Sequence, residues 1–343
     1  KNEMIYYYIY LLLIIFVSIF LKMKGLFLNY SGDDHQSFSN KGNIPLTGGI
    51  FLVLPIVFFY SNNLFLVSFF IAIFLIGFFS DRKILVSAKI RFFFQIFLII
   101  SFVIITDLKI LTSRIELFDI MLSNKLFAYF FSSFCLLILI NGSNFIDGLN
   151  GLLISYSLIV IYKLGNLGLI TDQIIFDQYF YLILSVLLVL LSLNILNILM
   201  IGDGGAYLLG FFLGFIIISS HNNNVNVSPY FYISLIWYPC FENLFSILRK
   251  LNRKFSPLNP DSKHLHQLIF FFVKKKIGLS IIFSNNLSSM ILILFNFLII
   301  HICSLNPSST IFQMKLIICS IIFYILCYFL LKRFYKLNFN PKK

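Results

Sequence analysis

Asn141-Gly-Ser-Asn-Phe-Ile-Asp-Gly-Leu-Asn-Gly151 is a polar, glycine-rich stretch that lies between two long apolar runs. It carries one carboxylate, Asp147, and no Lys or Arg. Gly148 and Gly151 allow the backbone to turn tightly and to approach a ligand closely. The stretch is therefore either an ordinary polar connection between two apolar segments or a place where Asp147 holds a cation.

The composition is that of a membrane protein. Of the 343 residues, 59% are hydrophobic and 11% are charged, whereas soluble domains carry roughly 25% charged residues. Apolar runs of about 16 to 22 residues recur along the chain, close to the roughly 20 residues that a helix needs to cross a bilayer. We therefore expect an all-α polytopic membrane protein with a single integral-membrane domain, residues 1–343.

The net charge of +13 does not indicate a nucleic-acid partner, because the Lys and Arg residues flank apolar runs, where they orient a membrane protein. Their expected partners are the lipid bilayer, through its anionic headgroups, and phosphate-bearing substrates. The five cysteines all lie in apolar runs without metal-ligand spacing. We interpret them as packing residues.

The apolar runs predict about eleven transmembrane helices. They cover roughly 4–23, 46–61, 63–79, 91–106, 125–140, 151–164, 178–199, 205–219, 229–247, 284–304 and 312–331. With this count, 20 of the 26 Lys and Arg residues fall on one side of the membrane. Since cytoplasmic loops are rich in Lys and Arg, the N-terminus is predicted to be outside and the C-terminus cytoplasmic. The first predicted cytoplasmic loop also holds a polar cluster, Asp33-Asp34-His35, whose direct role in a site stays open.

Three carboxylates, Asp81, Asp147 and Asp203, fall in three different predicted cytoplasmic loops, each near a helix end. The loops 141–151 and 200–204 contain no basic residue. Carboxylates contribute little to orientation, so topology does not explain them. Mg²⁺ favours one or two carboxylates together with water and substrate phosphates. Carboxylates at one membrane depth therefore predict a divalent-cation site, with a helix cap as the alternative for each Asp taken singly.

The longest predicted cytoplasmic segment, 249–283, is basic and contains two histidines. Pro257 and Pro260 break helices, so we predict an irregular loop. His264 and His266 are two residues apart and share a face only in an extended conformation. Zinc is a weak interpretation, because no third ligand with suitable spacing follows. Cationic and imidazole donors suit a diphosphate better. A solvated positive-inside loop would explain the Lys and Arg residues fully but not the two histidines.

Glycine and proline mark the helices next to these carboxylates. Gly202-Asp-Gly-Gly205 surrounds a carboxylate with residues that add no bulk. Gly210 and Gly214 form a small-xxx-small face that allows two helices to pack closely. Pro239 predicts a kink in the ninth span, which would open a lateral groove for a lipid. Glu242, one turn further, is expected to be structural or to support the site indirectly.

Five motifs follow one another along the chain. They are Ile44-Pro-Leu-Thr-Gly-Gly-Ile50, Gly77-Phe-Phe-Ser-Asp81, Asn144-Phe-Ile-Asp-Gly-Leu-Asn-Gly151, Gly202-Asp-Gly-Gly-Ala206 and Pro260-Asp-Ser-Lys-His-Leu-His266. In this order they resemble the polyprenyl-phosphate N-acetylhexosamine-1-phosphate transferases of glycosyltransferase family 4. The resemblance covers a core of about residues 30–270 and leaves the C-terminal helices, 284–331, outside it.

The resemblance implies an enzyme of the bacterial inner (cytoplasmic) membrane with its active site on the cytoplasmic face. Such an enzyme transfers a sugar 1-phosphate from a UDP-N-acetylhexosamine, such as UDP-GlcNAc, to undecaprenyl phosphate, with Mg²⁺ or alternatively Mn²⁺. UMP is released, and the product starts a lipid-linked cell-envelope polysaccharide such as lipopolysaccharide. A homodimer is an open alternative. The rival hypothesis is a multi-pass transporter or flippase of a lipid-linked or phosphorylated substrate, but transporters usually place ionisable groups near the bilayer midplane.

The resemblance also implies roles for individual residues. The metal ligands are expected to be Asp203 and Asp147, the catalytic residues Asp81, Asp147, His264 and His266, and the substrate-binding residues Asn144 and Asn150. Lys263 and Arg249 are also expected to bind substrate, because their positive charges would neutralise phosphate oxygens. Asp81 matches the second residue of an acidic pair near the acceptor phosphate, either as a base or as an orienting group. The two histidines match a phosphate-binding segment.

The chain departs from the family pattern at a few positions. Ser80 stands where an acidic residue is usual, and Asn150 replaces a second aspartate found in many members. Gln267 ends a histidine run that is longer in the phospho-MurNAc-pentapeptide translocase. Pro45-Leu-Thr-Gly-Gly49 is similar to the N-acetylhexosamine branch rather than to that translocase. We therefore expect a UDP-N-acetylhexosamine donor.

Overall fold

The computed structural model describes residues 2–28, 44–170, 178–252 and 263–339, and helices dominate these ranges. The helices are α1 (Asn2–Lys24), α2 (Gly48–Phe59), α3 (Leu64–Asp81), α4 (Ala88–Thr106), α5 (Glu116–Ser123), α6 (Lys125–Ile146), α7 (Leu152–Asn166), α8 (Gln178–Ile195), α9 (Gly202–Asn223), α10 (Pro229–Leu251), α11 (Leu265–Ile277), α12 (Ile281–Cys303) and α13 (Thr310–Phe339). The Asp33-Asp34-His35 cluster, Pro257 and Pro260 lie outside the described residues.

The prediction of an all-α polytopic membrane protein is confirmed. Eight of the helices in the described ranges are long and apolar enough to cross a membrane, and three shorter apolar helices accompany them. These eleven helices correspond one by one to the eleven predicted spans. Because α2 and α7 are only 12 and 15 residues long, less than the roughly 20 that a full crossing requires, the number of crossings and the orientation stay predictions.

The predicted loop 141–151 is wrong over its first half, because α6 continues to Ile146. Gly142 does not mark a turn. A Cβ on Gly142 would overlap the carbonyl oxygen of Pro239 on α10, so this glycine allows α6 and α10 to touch. Small residues serve this purpose in packed membrane helices. Asp147 is the C-cap residue of α6.

The predicted loop 249–283 is also largely replaced by helix. α10 extends to Leu251, and α11 begins at Leu265. At the start of α11 the Gln267 side chain accepts the backbone N–H of His264 at 3.0 Å. This contact gives a partner to an N–H group at the helix start, which favours a helix where a polar loop was expected. The short helix α5 was not predicted either.

α9 is the central helix, and it packs against α2, α3, α6, α7 and α10. Most of its side chains are buried. A Cβ on Gly210 would lie 2.8 Å from the Cα of Ile140, and one on Gly214 would lie 2.5 Å from Leu136 Cδ2. The predicted small-xxx-small face is therefore confirmed, and it faces α6.

Pro239 lies inside α10, as predicted. Proline has no N–H and leaves the carbonyl four residues earlier, that of Leu235, without its helical partner. The hydroxyl of Tyr156 on α7 donates to this carbonyl at 2.7 Å. On the other side, the Asn243 amide of α10 donates to Ile138 O of α6 at 2.9 Å. The interruption in α10 is thus held by α7 and α6, which fixes the position of the helix turn that follows it.

Candidate active site at one end of the helix bundle

The C-terminal end of α3 meets the N-terminal end of α9 through Asp81. Its Oδ1 accepts the backbone N–H of Asp203 at 2.9 Å, and its Oδ2 accepts that of Gly204 at 3.1 Å. The first N–H groups of a helix lack helical partners and carry positive partial charge, so a carboxylate is well placed there. Asp81 therefore orients the first turn of α9, which carries Asp203.

Glycines make this close approach possible. Gly202 has φ +74° and a Cβ there would lie 2.6 Å from Asp81 Oδ2. A left-handed φ is costly for other residues. A Cβ on Gly77 of α3 would lie 2.5 Å from the backbone of Asp203. The GDGG sequence is therefore needed for the contact between α3 and α9 as much as for the carboxylate that it carries.

The segment before α2 supports the same turn of α9. Met200 N–H donates to Pro45 O at 2.8 Å, and Gly48 N–H donates to Met200 O at 3.0 Å. A Cβ on Gly49 would lie 2.5 Å from the backbone nitrogen of Gly205. The Pro45–Gly49 motif thus packs backbone against backbone beside the first turn of α9.

Asp203 has a cationic partner that the sequence did not indicate. Its Oδ2 accepts from Ser80 Oγ at 2.6 Å and from the Arg91 guanidinium at 2.9 Å. Arg91, near the start of α4, also contacts Ser80 Oγ. At position 80, where the resemblance predicts an acidic residue, this chain has a hydroxyl that joins an arginine to Asp203. Arg91 was missed because it is one of many basic residues that flank the spans.

Asp147 faces Asp81 and Asp203. Its partial burial, followed by the negative charges of Asp203 and Asp81, raises the pKa of Asp147 well above its usual range. Its carboxylate makes no hydrogen bond to any other described residue. The structure thus brings together the three carboxylates that the sequence singled out, at one end of the bundle.

The arrangement fits a two-carboxylate cation site. Among the described residues, no group of three His, Cys, Asp or Glu side chains is placed to hold a metal ion, and both oxygens of Asp81 are already occupied. The Asp147 carboxylate and Oδ1 of Asp203 accept no hydrogen bond from the described residues. Mg²⁺ commonly binds one or two carboxylates and completes its shell with water and phosphate oxygens, so these two residues match its requirements.

The two histidines lie against the segment that carries Asp147. The rings of His264 and His266 are stacked, with centroids 5.6 Å apart, and the His264 ring is 5.0 Å from the Phe145 ring. His264 has extended backbone as the N-cap of α11, so it and His266 share a face as predicted. A Cβ on Gly148 would overlap the His266 ring. This glycine therefore makes room for the histidine.

His266 is almost completely buried, and neither of its ring nitrogens has a partner in the described part of the chain. Burial, with a smaller contribution from the neighbouring His264, lowers the pKa of His266 to about 3. The ring is therefore neutral at physiological pH. Buried polar groups usually have hydrogen-bond partners, so the His266 ring beside Gly148 is a candidate for contact with a bound ligand.

His264 contacts a carboxylate that sequence reasoning assigned only a supporting role. Its Nδ1 is 2.9 Å from Oε1 of Glu242, which is fully buried on α10. The hydroxyl of Tyr324 on α13 donates to the other oxygen of Glu242 at 2.7 Å. No local sequence signal connects these three residues, because they belong to three different helices or helix ends.

Arg249 and Lys263 lie at the same segment. The Arg249 guanidinium donates to the backbone carbonyl of Lys263 at 2.6 Å and to the hydroxyl of Tyr328 at 2.9 Å. Arg249 is buried, whereas the Lys263 side chain is partly exposed. Arg249 therefore holds the residue that precedes the histidines, and the predicted contacts of both side chains with substrate stay predictions.

The two predicted asparagines differ in their surroundings. Asn144 on α6 donates to the hydroxyl of Tyr207, one turn beyond Asp203 on α9, at 3.3 Å, so it lies at the carboxylates. Asn150 is buried and its amide nitrogen donates to Asn197 at 3.1 Å and to Asn286 at 2.8 Å. Both amide hydrogens of Asn150 are therefore used to join the turn before α7 to the turn after α8 and to α12.

Fold and site together define a class: a polytopic helical membrane protein whose helix ends gather carboxylates and imidazoles at one end of the bundle. The family model described as Glycosyl transferase family 4 matches residues 63–221. This is the family that the motifs resemble, and the match covers a little under half of the chain. It includes all three aspartates and both asparagines and ends before the histidine segment.

Similar proteins carry one name. The chain is 25% identical over 285 residues to the undecaprenyl-phosphate alpha-N-acetylglucosaminyl 1-phosphate transferase of Yersinia pestis, a match that covers 78% of this chain and 76% of the relative. It is 25% identical to the protein of the same name from Thermotoga maritima, over 68% of this chain and 69% of the relative. The match to the Escherichia coli K12 protein of that name is 28% identical over 149 residues, 42% of this chain and 41% of the relative.

Proposed function

We propose that this protein is a sugar-1-phosphate transferase. It transfers a sugar 1-phosphate, from a UDP-N-acetylhexosamine such as UDP-GlcNAc, to undecaprenyl phosphate and releases UMP. The product would start a lipid-linked cell-envelope polysaccharide. The observation that carries this proposal is the convergence of Asp81, Asp147 and Asp203 beside the His264–His266 pair, in a chain whose relatives are named for this activity.

The reaction requires positioning and charge neutralisation more than covalent work by the protein. The acceptor, a phosphate monoester, has a second pKa of about 6 and is mostly dianionic at neutral pH. A strong base is therefore not obligatory. Since both oxygens of Asp81 accept backbone N–H groups, its geometry favours a role in holding the first turn of α9 over the role of a base.

Asp203 and Asp147 are the residues that would hold Mg²⁺, or alternatively Mn²⁺. A bound divalent cation would neutralise charge on the diphosphate of the donor. Arg91, beside Asp203, brings a fixed positive charge to the same place. Asn144 lies close enough to this centre to contact the nucleotide, and His264, His266 and Lys263 would donate to phosphate oxygens.

The site would open to the cytoplasm. The donor is water-soluble and the acceptor headgroup lies at the bilayer surface, so the carboxylates belong at an interface. In the predicted topology these helix ends lie on the side that carries 20 of the 26 Lys and Arg residues, which favours the cytoplasmic side of the bacterial inner membrane, with the N-terminus outside. The homodimer stays a prediction.

A reconstituted assay tests the proposal. The purified protein in vesicles with undecaprenyl phosphate, Mg²⁺ and a panel of UDP-N-acetylhexosamines is expected to release UMP and to form a lipid-linked diphosphate sugar. Omission of undecaprenyl phosphate must abolish release, which distinguishes transfer from hydrolysis. Absence of UMP with every donor of the panel, from protein that remains monodisperse, would refute the transferase. Accumulation of an unmodified substrate across the membrane would instead support the transporter hypothesis.

A further inference from the structure

Glu242 is a fully buried carboxylate inside a membrane helix. A charge in such a position is expensive unless partners satisfy it. Both of its oxygens have partners, since Oε1 contacts His264 Nδ1 and Oε2 accepts the Tyr324 hydroxyl. A carboxylate that served only packing could be an apolar residue at lower cost, so the contact with the histidine needs an explanation.

Tyr324 is itself held in one orientation. Its ring packs edge-on against Phe241 and Phe245 of α10 and parallel to Tyr328, one turn further on α13. Tyr328 in turn accepts from Arg249. α13 therefore supports the start of α11 at two points, although it lies far beyond the residues that the family model matches.

The contact also decides which ring nitrogen of His264 can meet a ligand. With a carboxylate at Nδ1, that nitrogen carries a hydrogen, and Nε2 donates as well when the ring carries both hydrogens. Nε2 makes no hydrogen bond to the described residues. A carboxylate in this position fixes the tautomer and the orientation of an imidazole, as it does behind metal-bound and catalytic histidines.

We propose that Glu242 and Tyr324 are positioning residues that hold His264 by Nδ1–H, and that the Glu242 carboxylate balances the charge of an imidazolium whose Nε2–H donates to a phosphate oxygen of the substrate diphosphate. The C-terminal helix α13 is thereby part of the active site without touching substrate. This inference rests on the proposed function, because it needs a phosphate at His264.

The test compares three single variants by steady-state UMP release, normalised to folded protein. Glu242→Gln keeps the size of the side chain and an acceptor but removes the charge. Tyr324→Phe removes only the hydroxyl that supports Glu242. Tyr232→Phe is the matched control, because its buried hydroxyl donates to the backbone carbonyl of Ser220, at the other end of α10 from Glu242.

Glu242→Gln should lower kcat by about 100-fold, because a charged hydrogen bond to His264 is lost. Tyr324→Phe should lower kcat by about 5-fold, because only one neutral donor is lost. KM for the UDP-sugar should change by less than about 3-fold, since the histidine is misplaced rather than absent. Tyr232→Phe should leave both constants unchanged. The double variant Glu242→Gln/Tyr324→Phe should be no slower than Glu242→Gln, because both act through one ring.

A purely structural role would lower thermal stability in each variant, leave kcat per folded molecule unchanged in all of them and cause a further loss of stability in the double variant. That result would overturn the positioning role of Glu242 and Tyr324. The proposed function would still stand, because the wild-type protein would release UMP. Failure of the wild type to release UMP would overturn the proposed function and this inference with it.

Discussion

Replacing Gly77 by alanine should separate α3 from α9 and misplace Asp203. A Cβ at position 77 would lie 2.5 Å from the backbone carbon and oxygen of Asp203 and from the Cα of Gly204. Ordinary contacts begin at 3.4 Å, and backbone atoms cannot rotate away. The two helices must therefore move apart by about 1 Å, and an error of this size in a positioned group can cost about 100-fold in rate.

The control is Gly214→Ala on α9. There the new Cβ would lie 2.5 Å from Leu136 Cδ2, the far end of a flexible side chain, so the helices need not move. Alanine has a higher helix propensity than glycine, by about 1 kcal/mol in an exposed helix. A loss of activity in Gly77→Ala or Gly214→Ala therefore cannot come from a weaker helix.

The assay is UMP release per folded protein, with thermal stability measured in parallel. We expect Gly77→Ala to lose about 100-fold in kcat/KM and Gly214→Ala to remain within about 3-fold of the wild type. Wild-type activity in Gly77→Ala would refute the reasoning, because the contact between α3 and α9 would then not position the site. Equal losses in both variants would refute it as well.

Three further changes test individual contacts. Arg91→Met removes the positive charge beside Asp203. Since a like charge is removed from the cation site, the Mg²⁺ concentration for half-maximal activity should fall by about 10-fold. A requirement for more Mg²⁺ would contradict the assignment of Asp203 as a metal ligand. Gly148→Ala should displace His266 and lower kcat/KM by about 10-fold, and an unchanged value would show that the ring is not confined there. Asn150→Ala should destabilise the protein by about 2 kcal/mol in thermal unfolding, because two hydrogen bonds are lost, and the KM for the UDP-sugar should not change. A raised KM with unchanged stability would instead support the predicted contact of Asn150 with substrate.

Much of the fold follows from the sequence, because apolar runs of membrane length have few structures available to them. The positions of eleven helices were predicted in this way. The ends of the helices were less predictable. Gly142 and Asn144 look like loop residues in the sequence, yet they lie in α6, where small and polar side chains face other helices rather than lipid.

The carboxylates of the site were predictable, because Asp81, Asp147 and Asp203 stand out in a chain with few charges. Their partners were not. Arg91 has the same local sequence context as basic residues that only orient the protein. The pairing of Glu242 with His264 and Tyr324 depends on how α10, α11 and α13 pack, and no periodicity encodes such contacts between distant segments.

Binding of Mn²⁺, which replaces Mg²⁺ in oxygen-rich sites and is observed by electron paramagnetic resonance, tests the central claim most directly. The wild type should bind a single Mn²⁺, Asp203→Asn should lose it, and Asp147→Asn should weaken it. The control, Asp107→Asn, lies just beyond the far end of α4 from Arg91, about 25 Å away along the helix, and should bind as the wild type does. Unchanged binding in Asp203→Asn, or loss in Asp107→Asn, would contradict a cation site built from these carboxylates.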